Sequence, residues 1–161
     1  MTCSYDSDPV AQIRVMPAGR IATAEQVQIR ASFDEMGLVR RKVAEAFYHR
    51  LFALLPHARH MLPQDTELLH LKLMDTIAVL VGALDNPAMF RSMIDRIGRE
   101  HGRFGVTPSD LAAFGDALMW TWEQHFGPAF TPDLKQAWTA LYATVRSDML
   151  RAMEFNDRER E

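Results

Sequence analysis

The chain has 161 residues, 48% hydrophobic and 24% charged, which is enough apolar material for one core without disulfides or structural metal. The formal net charge is -3 and no segment concentrates lysine and arginine into a stripe, so the electrostatic footprint of a nucleic-acid binder is missing. Apolar runs such as Ile77 to Leu84 fall far short of the ~20 residues a bilayer span needs, which excludes a membrane as partner. The N-terminus shows no basic segment followed by a continuous apolar stretch, so no signal peptide is expected. The one cysteine, Cys3, has no internal partner, and no Cys/His cluster has zinc-ligand spacing. A reducing cytoplasm is the expected compartment.

Residues 1–22 mix Ser, Asp, Pro and Gly without periodicity and read as a flexible extension. Helix signals then recur to the end of the chain, and no stretch shows sustained period-two alternation. The first helix is expected from Thr23, with Gln26 as its capping-box partner, to Met36, where Gly37 stops it. The second runs from about Leu38 to Leu54, with Val43, Phe47, Leu51 and Leu54 on one face. Pro56 opens a short helical turn through His57, Arg59 and Met61, and Pro63 breaks it. A long helix follows from Thr66 to Leu84, with Leu69, Leu73, Ile77, Leu80 and Leu84 inward and Lys72, Asp75 and Asp85 toward water.

Pro87 starts the next helix, which carries Phe90, Met93, Ile94, Ile97 and His101 and turns at Gly102 and Gly105. Thr107-Pro108 and Thr131-Pro132 each pair an N-cap residue with proline, and Asp110 and Asp133 sit near the positive ends of the two helices that follow. The first of these carries Leu111, Phe114, Leu118 and Trp122 as far as Gly127. The second carries Leu134, Trp138, Leu141, Val145, Met149 and Met153 before a charged tail, 156–161. Six to seven helices with short connections make one all-α domain, 23–155. Periodicity alone leaves its topology open.

Four strings narrow the choice: Phe47-Tyr48-His49-Arg50-Leu51-Phe52-Ala53-Leu54-Leu55-Pro56; Lys72-Leu73-Met74 with Leu84-Asp85-Asn86; Arg99-Glu100-His101 through Phe104-Gly105-Val106; and Ala137-Trp138-Thr139-Ala140-Leu141-Tyr142. In this order and spacing, over roughly Thr23 to Phe155, they resemble the haem domain of flavohaemoglobins and related single-domain bacterial globins. The resemblance implies a globin fold of six to seven helices around a haem pocket, with haem b held through His101 as the axial iron ligand. A neutral imidazole suits haem iron, and His101 follows Ile97 by one turn on the apolar face.

By the same resemblance Tyr48 lies over the distal face, where a phenol donates a hydrogen bond to a bound gas. Leu69 and Leu73 form the distal wall, with Lys72 beside them, and Leu62, Val106 and Leu111 border the cofactor. A register shift of one residue would instead bring His70 over the iron, as a hydrogen-bond donor or a second ligand. The plain alternatives are a histidine hydrogen-bonded at a helix end, a tyrosine at the edge of the core and ordinary core leucines.

The chain departs from the family pattern at several positions. Leu62 stands where the family stacks a phenylalanine on the haem. Leu69 stands where it carries glutamine or, in other globins, histidine. Leu111 and Met153 stand where flavohaemoglobins pair a tyrosine and a glutamate behind the proximal histidine. The sequence as read ends at Glu161 without flavin and nicotinamide domains, so reduction is expected from a separate reductase. The resemblance then implies reversible binding of oxygen, nitric oxide or carbon monoxide. Nitric oxide dioxygenase activity, gas sensing and a haem-free regulatory role are the alternatives, so enzyme status stays open. A homodimer is also open, since Trp120, Trp122 and Trp138 suit core or interface, Trp138 the core.

Overall fold

The computed structural model describes residues 21–159; the stretch before Ile21, Cys3 included, lies outside them. The described residues form seven α-helices: α1 (Thr23–Met36), α2 (Arg40–Leu54), α3 (Ala58–Met61), α4 (Thr66–Gly82), α5 (Pro87–Arg103), α6 (Pro108–Phe126) and α7 (Pro132–Arg158). Short 3-10 turns at Gly37–Val39 and Gly127–Ala129 join α1 to α2 and α6 to α7, and no strand occurs among the described residues. None of the described helices is long and apolar enough to cross a membrane.

Local chemistry sets most of the helix starts. The side chains of Asp65, Asn86, Thr107 and Thr131 each accept a hydrogen bond from a backbone N–H in the first turn of their helix. Thr107 and Asp110 complete a reciprocal capping box around Pro108. The start of α1 differs from expectation: Ala22 is its N-cap, no side chain caps it, and Gln26 Nε2 donates to the carbonyl of Ile21 at 2.8 Å. Ile21 is itself buried in the core, so the apolar packing begins inside the stretch read as an extension. At the other end α7 continues to Arg158, because nothing at residues 156–158 interrupts its backbone ladder. Leu54, expected on the inward face of α2, is 39% exposed at the helix's last turn.

The most extensive helix pairs are α5 with α7 and α2 with α6, while α4 packs on α2 and α1 touches both α7 and α4. Trp122 and Trp138 are buried with ring centroids 5.0 Å apart, and Trp138 Nε1–H donates to Ser32 Oγ at 3.0 Å, tying α7 to α1. Trp120 is only half-buried, with the Arg50 guanidinium 5.1 Å from its ring centre.

Backbone contact between α5 and α7 is closest at Gly98. A Cβ there would stand 2.8 Å from Ala152 Cβ and 3.0 Å from the Met149 carbonyl oxygen. In an open helix Gly→Ala is favourable by about 1 kcal/mol. Here the added methyl meets backbone that cannot swing aside, and overpacking of this kind costs ~1–3 kcal/mol. Gly98→Ala is therefore expected to lower the urea midpoint of unfolding despite its better helix propensity; a raised midpoint would show that the two helices separate freely.

Candidate functional site

An apolar cavity of about 700 Å³ lies between α2 and α4 on one side and α5, α6 and α7 on the other. Tyr48 lines it from α2, and Leu69, Lys72 and Leu73 line it from α4. Leu62, just after α3, closes part of the rim. His101, Val106 and Leu111 line the opposite side. Eight of the nine residues expected at the site thus share one cavity, and the ninth, His70, is not among its lining.

His101 owes its pose to its own helix. Its Nδ1 lies 2.8 Å from the Ile97 carbonyl oxygen. A carbonyl only accepts, so Nδ1 carries a proton, and in the neutral ring Nε2 keeps its lone pair. The chain turns just beyond, at Gly105, with φ of +77°, a conformation glycine adopts without strain. That turn brings the Val106 N–H back to the His101 carbonyl at 3.2 Å.

Tyr48 is buried on the other wall, edge-on to Phe47 at 5.1 Å between centroids. Burial pushes its pKa up to about 12, so the hydroxyl stays protonated, and it makes no hydrogen bond to another described residue. A protonated donor without a partner among the described residues therefore sits at the cavity wall. His70 lies against the ring of Tyr48, 5.7 Å away and 25° from parallel, and its buried Nδ1 finds no partner among the described residues. One step further around α4 than Leu69, it stands behind Tyr48 and is not among the residues lining the cavity.

Three features escape local reading. Tyr142 lines the cavity and its hydroxyl donates to the Leu111 carbonyl. Its ring occupies the space a Cβ on Gly115 would fill. His57 and Asp110 also line the cavity and bridge it, with Nε2 of His57 3.1 Å from Oδ1 of Asp110. They are 53 residues apart in sequence, so no motif joins them. Phe104 lines the same cavity yet is 70% exposed, which locates the mouth beside the end of α5. Met153, by contrast, packs on α5 at Gly102 and is not among the lining residues.

A set of helices closing over an apolar cavity, whose wall presents the imidazole of His101 with Nε2 unpartnered among the described residues, defines a class of small-ligand or cofactor carriers. Residues 45–149 match the family model described as Globin, and the chain belongs to that family. It is similar to the neuroglobin of Tetraodon nigroviridis, 26% identical over 155 residues, covering 88% of this chain and 98% of that one. It is also similar to the flavohemoprotein of Vibrio cholerae, 31% identical over 120 residues. That match covers 73% of this chain but only 29% of the longer relative. Among solved structures, a hexacoordinated heme protein from an anhydrobiotic tardigrade shares the fold with a TM-score of 0.76 and 12% identity, covering 86% of this chain and 99% of that one.

Partial burial at the mouth opposes the charge on Asp110, but hydrogen bonds and charge from Thr107 and His57 more than offset it and hold its pKa below the ordinary value. Because the folded value lies below the unfolded one of about 3.9, this stabilisation is complete above that pH and is lost as pH falls through the lower folded value. Asp110→Asn should therefore lower the melting temperature at pH 7 and make a smaller difference near pH 3. An equal loss at both pH values in thermal scans would contradict an electrostatic role for the carboxylate.

Proposed function

We propose that this globin holds haem b with His101 as axial ligand and binds a diatomic gas, oxygen foremost, reversibly beside Tyr48. The single observation that carries this reading is His101 itself, an imidazole in an apolar wall whose Nδ1–H is engaged by Ile97 and whose Nε2 has no partner among the described residues. The other imidazole on the lining, His57, has its Nε2 committed to Asp110. The cavity volume of about 700 Å³ also falls within the range of pockets that enclose cofactor-sized ligands. Haem, when bound, supplies an iron with one coordination position open to a gas.

The chain's own residues do the rest. Leu69 and Leu73 keep the gas side dry, which strengthens any hydrogen bond made there. The Tyr48 hydroxyl, neutral throughout the physiological range, donates to a ligand carrying partial negative charge. Lys72 is exposed at the rim, where its ammonium suits the cofactor's carboxylates. Leu62 supplies apolar contact without an aromatic face. The tardigrade protein is described as hexacoordinated; for this chain the candidate second ligand would be His70, which is engaged against Tyr48 outside the lining. We therefore propose His101 as the single axial ligand. The cytoplasm is the compartment we assign to this function, on the single cysteine.

Two measurements test this. The ferrous protein should give a five-coordinate spectrum before gas is added, and a six-coordinate one would return His70 to the site. Tyr48→Phe should raise the oxygen dissociation rate roughly fivefold, the equivalent of one neutral hydrogen bond of ~1 kcal/mol, while changing carbon monoxide release less. Equal oxygen release rates in stopped-flow displacement would remove Tyr48 from the account, and a haem spectrum indifferent to both gases would remove gas binding altogether.

A further inference from the structure

The outer face of α5 gathers the charged side chains of that helix. All its Asp, Glu and Arg side chains (Arg91, Asp95, Arg96, Arg99, Glu100 and Arg103) line one surface depression. Four arginines against two carboxylates leave this face positive on a chain whose formal total is -3. Along the sequence the arginines are interleaved with acidic and apolar residues, which is why no basic run is visible there; the helical period gathers them. Among the described residues none of these four arginines has a carboxylate within 4.0 Å, a state shared by others such as Arg50, Arg59 and Arg146, but on α5 four of them converge on one face. Their charge is therefore presented outward, where it attracts an oppositely charged surface and speeds encounter.

The position of this face narrows the partner. Arg96, Arg99 and Arg103 lie on the opposite side of α5 from His101 by helical period, one helix diameter of about 10 Å away. Glu100 lines both this face and the internal cavity. The hydrogen bond from His101 Nδ1 to the Ile97 carbonyl couples the helix backbone to the imidazole. We infer that the arginine face of α5 docks an acidic one-electron carrier protein, which reduces the iron at His101 across this helix. The inference rests on the haem-binding reading above. In the step, the carrier's reduced cofactor loses one electron, the ferric iron gains it and becomes ferrous, and no bond within the chain breaks.

The test uses the haem-loaded protein with reduced flavodoxin, an acidic one-electron flavoprotein, as the probe. Arg96→Glu, Arg99→Glu and Arg103→Glu combined should cut the second-order rate of reduction about tenfold at low salt. The same variant should weaken calorimetric binding of oxidised flavodoxin to a similar degree, while the haem spectrum and reduction by dithionite stay unchanged. The matching triple change to lysine should keep most of the rate, and the wild-type rate should fall steeply with added salt. A charge-reversed variant reduced within twofold of wild type, or a wild-type rate indifferent to salt, overturns the docking face. If the chain takes up no haem, the haem-binding reading fails and the electron route falls with it; the flavodoxin titration then reports on the face separately.

Discussion

The close approach of α5 to α7 at Gly98 is the constraint on which the cavity depends. With no side chain at that position, the backbone of α5 settles onto Met149 and Ala152, and Gly102 repeats the contact one turn later against Met153. This seating carries His101, between the two glycines' turns, to the cavity wall at a depth that packing sets. The Ile97 carbonyl then fixes its ring and its tautomer. A longer residue at 98 would shift the imidazole as well as the helix, so stability and site geometry share one contact.

The remaining walls divide the work by polarity. Large buried rings, Trp122 against Trp138, hold α6 and α7 together, and Trp138 also lines the cavity. Polar groups gather at the rim, where water can still reach them: Lys72 and the His57–Asp110 pair. Inside, Tyr48 contributes a hydroxyl to a lining otherwise dominated by leucine, isoleucine and aromatic rings on that wall. Desolvation, which costs a charged group dearly, favours this neutral donor and keeps it protonated.

Much of this was legible in the residues because it is local. Caps such as Thr107 with Asp110, and prolines at first helical positions, act within a few residues, so helix starts from α4 onward fall where the sequence puts them. The inward stripe of α5 ends on His101 for the same reason. What stayed hidden is tertiary. The pairing of His57 with Asp110 and the donation from Tyr142 to the Leu111 carbonyl join distant segments. The packing of His70 on Tyr48 depends on how α2 and α4 meet, which no single-helix pattern encodes. At α1 the capping rule failed because Gln26 reached back to Ile21, a residue pinned by core packing rather than by the cap itself.

The central claim is that His101 is the residue through which a cofactor iron is held. The most direct measurement is a haem titration of His101→Gly, followed by absorption, with and without free imidazole. The sharp Soret band of wild type is expected to be lost or shifted in the variant and to return when imidazole fills the space of the missing ring. A variant whose ferric, ferrous and carbonyl spectra match wild type without imidazole would show that the iron is held elsewhere.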